Sequence, residues 1–236
     1  MNLIYITGAS SGIGKAVAEL LLQTEEWEVI GLSRRCTIEH PNYTHQTLDL
    51  ASAQQVHLFE FQPHGNYEQV VLFNNAGTLG GIKKIGNSDD VVLEELFFIN
   101  TIAPVILSNK FIHQDTESAL IINVSSGAGS SAIPGWAGYC ASKAAIDLFS
   151  ETVALELQET ESTLRIFSVA PGVVDSAMQG EIRKATEDDF SRVDYFKSLK
   201  ENNELASPHE VALKFKKVIE TPADFDTCFS LRDVSL

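Results

Sequence analysis

Basic residues are scarce: 17 lysines and arginines stand against 32 aspartates and glutamates, a formal charge of −15 over 236 residues. That excess of negative charge argues against a sequence-independent grip on nucleic acid or on an anionic bilayer. Cysteine is sparse as well. Cys36, Cys140 and Cys228 show no CxxC or Cys/His ligand spacing, and an odd number in a chain of this size argues against a disulfide framework. A reducing, cytoplasmic compartment is the expectation. The six histidines form no HExxH or comparable pair, so His57, His64 and His113 are expected in solvated surface roles and no metal site is expected. No apolar run approaches the ~18 residues of a membrane span. The opening MNLIYITG lacks the basic segment of an export signal and goes straight into a short apolar strand. A chain neither exported nor embedded is therefore expected.

What is present is a regular alternation. Short β-branched, apolar runs occur at 3–7, 27–33, 43–48, 69–74, 119–125, 164–170 and 227–231, several of them apolar at consecutive positions, as strands covered on both faces are. Helical patterns fall between them at 12–23, 52–62, 89–113, 137–158 and 208–220. Two open on capping boxes, Ser52 with Gln55 and Ser207 with Glu210, the second with Pro208 in the first turn. This order predicts an α/β chain with a parallel, doubly wound sheet and ligands beyond the carboxyl ends of the strands. At 44% hydrophobic, residues 1–236 suffice for one sizeable core and are too few for two comfortable domains. Segment 176–205 breaks the rhythm, being charge-rich and long for a connection. It reads as a lid over the functional edge of the sheet or as a solvated helix pair.

Directly after the first strand comes TGASSGIG, with Gly8, Gly12 and Gly14 leading into an amphipathic helix. Glycine lets the backbone approach a pyrophosphate, and a helix N-terminus offers unpaired N–H groups to the anion. The spacing is GxxxGxG rather than the commoner GxGxxG. At the end of the second strand, where a carboxylate would bind a ribose 2′-hydroxyl, stand Ser33, Arg34 and Arg35. A hydroxyl and guanidinium suit a 2′-phosphate, so NADPH is the expected cofactor. Farther on, GWAGYCASKAAID places Tyr139 and Lys143 four apart on one helical face. That spacing alone arises by chance in roughly one such chain in four.

Taken in order, the motifs resemble the short-chain dehydrogenase/reductase family over essentially the whole chain. They are TGASSGIG (7–14), Asp49-Leu50, NNAG (74–77), Asn100 in FFINT, Ser126 in NVSSG, YCASK (139–143) and PGVVDS (171–176). The resemblance implies a three-layer Rossmann fold with a seven-stranded parallel sheet. It also implies roles. Tyr139 is expected as the general acid, its phenol (reference value about 10) brought down by the Lys143 ammonium. Ser126 is expected to donate to the substrate oxygen, and Asn100 to hold a water behind Lys143 or simply to kink its helix. For the cofactor, the family pattern implies Gly8, Ser10, Ser11, Gly12, Ile13 and Gly14 at the phosphates and Asp49 and Leu50 at the adenine. Asn75, Ala76 and Gly77 are implied beside the ribose, with Tyr139 and Lys143 nearby, and Pro171, Gly172, Val174 and Ser176 at the carboxamide. Asn75 also has the look of a tie between strands.

Within the family, GWAGYCASKAA, NNAGTLG and APGVVDSAMQ are similar to sepiapterin reductases and bacterial benzil reductases. That likeness implies an NADPH-dependent reductase of ketones or α-diketones. Ser230 stands where sepiapterin reductases carry a pterin-holding aspartate, which favours a small aromatic or aliphatic diketone. Trp136, Met178 and Leu79 are candidates for the apolar wall of the substrate pocket or for ordinary core. A homodimer or homotetramer is implied, with Ala141, Ala144 and Ala145 allowing close helix packing and Asp147 and Ser150 offering polar contacts nearby. The rival of a different class is a regulator that senses the dinucleotide without chemistry, for which an intact Ser/Tyr/Lys set is superfluous.

Overall fold

The computed structural model describes residues 1–63, 65, 67–113 and 118–236. His64 lies outside them. In β1 (Asn2–Thr7), Leu3 and Tyr5 point to one side of the sheet and Ile4 and Ile6 to the other, all nearly inaccessible. A strand apolar on both faces needs helices on both. β2 (Trp27–Ser33), β3 (Tyr43–Thr47), β4 (Val70–Asn74), β5 (Ala119–Val124), β6 (Arg165–Ala170) and β7 (Cys228–Ser230) join it in the order β3-β2-β1-β4-β5-β6-β7, every pair parallel. One face carries α1 (Gly12–Leu21) and α8 (Pro208–Glu220), sealed by Val17, Leu21, Phe215 and Ile219. The other carries α2 (Ala53–Leu58), α4 (Ala103–Ile112) and α5 (Ala137–Glu159), through Val56, Leu107, Phe111 and Val153. The expected doubly wound, three-layer architecture is what forms.

Two helical expectations need correction. The second helix stops at Leu58 instead of running to 62: Phe59 turns extended and Phe61 enters the core against Tyr5 and Phe111. Its box is only half closed, because Ser52 Oγ accepts from Gln55 N whereas the Gln55 side chain accepts from Asp49 N. The α8 box closes both ways, at 3.1 and 2.7 Å. The stretch expected as one helix at 89–113 is α3 (Asp90–Phe97), a π-helical turn (Phe98–Ile102) and α4 in direct succession. By length and hydropathy Asp90–Ile112 could cross a membrane, contrary to the sequence expectation. Here its Leu96, Ala103, Leu107 and Phe111 are buried within the fold.

Segment 176–205 forms α6 (Ala177–Lys184) and α7 (Val193–Glu201). It is more than a solvated pair. Ile182, Phe190, Val193, Phe196 and Leu199 are buried in a third cluster with Trp136, Tyr139 and Leu96, beyond the carboxyl ends of the strands.

Candidate active site

A cavity of about 1340 Å³ opens at that end of the sheet. It exceeds the usual ~300–1,000 Å³ of a small-molecule pocket. Every residue expected in the site lines it except Gly14 and Asn100. The loop after β1 supplies Gly8, Ser10, Ser11, Gly12 and Ile13; the ends of β2 and β3 supply Ser33, Arg34, Asp49 and Leu50; the loop after β4 supplies Asn75, Ala76, Gly77 and Leu79. Ser126 follows β5, Trp136, Tyr139 and Lys143 open α5, and Pro171, Gly172, Val174, Ser176 and Met178 follow β6.

The glycine turn fits a dinucleotide. Gly8 is left-handed (φ +70°), and a Cβ there would lie 3.1 Å from Ala76 Cα and from Asn75 Nδ2. Gly14 is a packing residue instead of a wall: its Cβ would meet Asn75 Nδ2 at 2.5 Å and Gly8 O at 2.7 Å. No side chain caps α1, so its first N–H groups stay available to an anion. Asn75 is the strand tie that was expected, its Nδ2 donating to Thr7 O at 3.0 Å. Ser33 departs from expectation. Its hydroxyl is buried and donates to Arg35 O at 2.9 Å, leaving no proton for a phosphate. Arg34 and Arg35 are both exposed on the cavity rim and form no ion pair among the described residues.

At the opposite end Tyr139 is buried, its phenol raised above the usual value by desolvation, with the Ser126 hydroxyl in hydrogen-bonding reach and partly offsetting the rise. Burial, not the Lys143 ammonium, is thus the leading influence on the phenol, contrary to the sequence expectation. Lys143 Nζ lies 5.9 Å from the Tyr139 ring centroid and donates to Val124 O at 2.8 Å. Burial lowers its pKa to about 8, against an opposing pull from Asp147. Asn100 sits in the π-helical turn, as such turns often do at functional sites. Its Nδ2 donates to Thr78 O at 2.8 Å and Ser142 Oγ at 3.1 Å, and its Oδ1 accepts from Thr78 N at 2.8 Å. The side chain is therefore committed to holding the β4 loop against α5, with one oxygen lone pair to spare. A Cβ on Gly77 would lie 3.3 Å from Asn100 Oδ1 and 3.6 Å from Lys143 Nζ, so the two groups converge on that glycine.

Trp136 stacks on Phe190 (4.8 Å, 17°) and meets Tyr139 edge-on (5.5 Å, 72°). Trp136, Leu79 and Met178 are at once cavity wall and third-cluster core. Ser176 Oγ caps α6, accepting from Gln179 N at 3.4 Å. Across the mouth, Lys83 of the β4 loop pairs with Asp189 of the α6–α7 connection at 2.6 Å. Ala141 and Ala145 face outward on α5, while Asp147 and Ser150 face the sheet and not a neighbouring helix.

Residues 2–187 match the family model for short chain dehydrogenases. The chain belongs to that family. This short-chain dehydrogenase is 36% identical over 94% of its length to a benzil reductase ((S)-benzoin forming) of Bacillus cereus, 95% of which is covered. It is 27% identical over 92% of its length to the sepiapterin reductase of Xenopus tropicalis, 90% of which is covered. Among solved structures, a short-chain dehydrogenase/reductase from Saccharomyces cerevisiae superposes with a TM-score of 0.83 at 26% identity, covering 99% of this chain and 97% of that one. The family identifies the chain as an oxidoreductase that uses a nicotinamide dinucleotide.

Proposed function

We propose that this dehydrogenase is an NADPH-dependent carbonyl reductase acting on vicinal diketones. The observation that carries the reading is the buried Tyr139–Ser126 pair beside Lys143 in the wall of the cavity. A reduced nicotinamide dinucleotide bound there supplies the hydride. Ser126 donates a hydrogen bond to the substrate carbonyl oxygen, stabilising the negative charge that develops on it. Tyr139, kept neutral by burial, passes its phenolic proton to that oxygen. Lys143, charged below about pH 8, stabilises the phenolate left behind. Asn100 holds the β4 loop against α5, and its spare lone pair is suited to the expected water.

Arg34 and Arg35, exposed and without acidic partners among the described residues, support a 2′-phosphate at the far end. Trp136, Leu79 and Met178 support apolar flanks on the substrate. Ser230, whose Oγ accepts from Arg232 N, offers no carboxylate to a pterin and supports the diketone. The benzil-reducing relative points the same way. Segment 176–205, packed on Trp136 through Phe190 and Phe196, is suited to serve as a lid. The outward stripe of α5, Ala141, Ala145, Leu148, Thr152 and Leu155, is suited to a second copy of the chain, with Leu148 and Leu155 65% and 61% exposed.

NADPH consumption in the presence of benzil tests the reading. Tyr139→Phe is expected to cut kcat by about 10²–10⁴-fold in a folded protein. Appreciable turnover by that variant refutes the assigned acid.

A further inference from the structure

A row of polar side chains crosses the sheet beneath the site. Asn74 on β4, Asn123 on β5, Ser168 on β6 and Cys228 on β7 are register partners in one continuous line. Polar groups buried in an apolar layer must find partners, and these find them largely on the helices above. Asn74 Nδ2 donates to Asn123 Oδ1 at 2.9 Å and to Ser108 Oγ on α4 at 3.3 Å. Asn123 Nδ2 donates to Ser150 Oγ on α5 at 3.0 Å, and Ser168 Oγ donates to Asp147 Oδ1 at 2.5 Å. Cys228 Sγ lies 3.7 Å from the Asp147 carbonyl. The helix that carries Tyr139 and Lys143 is thus keyed to three strands within one turn.

Asp147 is the carboxylate on which Ser168 of this row rests. It lies four residues beyond Lys143 and eight beyond Tyr139, on the same helical face, and shares the cavity wall with both. Its other oxygen rests against the turn that follows Ser126: a Cβ on Gly129 would come within 2.2 Å of Oδ2. As an acceptor for Ser168 alone, an amide would serve at lower desolvation cost. We propose that Asp147 is a positioning residue, anchored by Ser168 and the Gly129 turn, whose charge holds Lys143 in the ammonium form that the reaction requires. The proposal rests on the roles assigned to Tyr139 and Lys143 above.

The groups packed around Lys143 leave Asp147 as the charge that matters. Tyr139 on the same helix is kept neutral by burial. The Cys228 thiol on β7 is pushed up to about 12 by burial and by the Glu151 and Asp147 carboxylates, so it too is neutral. Asn100 and the Val124 carbonyl are uncharged. Asp147, one helical turn beyond Lys143, acts against the burial that drives the ammonium toward deprotonation.

Asp147→Asn keeps an acceptor for Ser168 and removes the charge. Benzil reduction is followed as kcat/KM against pH, and the Lys143 15Nζ resonance, assigned with Lys143→Arg, is titrated in the protein without substrate. Both the alkaline limb and the Nζ midpoint are expected to fall by about one pH unit. Ser168→Ala, which keeps the charge, is expected to lower kcat and to move the midpoint far less. An Nζ midpoint that Asp147→Asn leaves in place overturns the proposal, however much activity is lost. A shifted midpoint with an unmoved limb supports the pairing and removes Lys143 from the reaction, which is a failure of the earlier reading alone. Asp147→Ser carries the same expectation and replaces Asp147→Asn if that variant does not fold.

Discussion

Replacing Arg34 with alanine removes one of two guanidinium groups from the rim of the cavity at the end of β2. A hydrogen bond to a charged group contributes about 1.5–3 kcal/mol when well formed. Arg34 is exposed and has no carboxylate among the described residues to orient it, so solvent screening moves the figure toward the lower end. About 1.4 kcal/mol is a factor of ten, and the expected effect of Arg34→Ala is a roughly tenfold loss of NADPH affinity with NADH affinity unchanged. Ser33 sharpens the test. Its proton is committed to Arg35 O, so Ser33→Ala is expected to leave the NADPH/NADH ratio nearly unaltered while loosening the Arg34–Arg35 loop. Dissociation constants for both cofactors, measured by fluorescence at two salt concentrations, decide the matter, since an exposed phosphate contact weakens with ionic strength. An unchanged ratio in Arg34→Ala, or a larger change in Ser33→Ala than in Arg34→Ala, refutes the assignment.

Two further expectations follow from burial at the other end of the cavity. The folded value of Lys143, about 8, lies below its ordinary 10.5, so between these limits the unfolded chain binds the extra proton. This part of the stability is complete above the unfolded value and is lost as the pH falls through about 8. Relative to Lys143→Met, the parent protein should therefore gain on the order of 2 kcal/mol between about pH 8 and pH 10 in urea unfolding, just where its activity declines. A flat difference contradicts the burial argument. Trp136→Ala should cost about 3–5 kcal/mol, as large aromatic deletions do. It should also speed hydrogen exchange across α6 and α7, because the indole is the ring on which Phe190 stacks and Phe196 leans; exchange that stays slow there would uncouple segment 176–205 from the tryptophan.

The parallel strands, their alternation with helices and the phosphate turn are legible from spacing, because buried parallel strands leave uninterrupted apolar runs and the phosphate turn leaves glycines; most of the remaining cavity lining is implied by the family resemblance, and the strand order is a finding of the structure. Other features leave no such trace. The π-helical turn at Phe98–Ile102 interrupts no apolar pattern, so Asn100 reads as a helical residue with either of two roles, and only the Thr78 and Ser142 contacts show how its amide is used. The second helix is cut short by Phe61, whose attraction to the core outweighs a helical pattern that nothing in the local sequence breaks. Ser33 carries the right chemistry for a phosphate, but its rotamer spends the hydroxyl on the backbone. Asp147 is visible in the sequence as a polar residue near the catalytic pair. Which way it faces is set by Ser168, 21 residues away and on another element.

The polar row has a consequence for biosynthesis. Its four members are spread from residue 74 to residue 228, and the last of them stands on the three-residue β7. A nascent chain can pair β1, β2, β4 and β5 and bury most of its apolar surface long before β7 leaves the ribosome. Until then the Asp147 carbonyl lacks its Cys228 contact, and the stretch Cys228–Ser230 is missing from the cavity wall. The last ten residues thus complete two things at once: Leu231 and Val234 enter the core beneath α8, and Cys228–Ser230 close one side of the pocket.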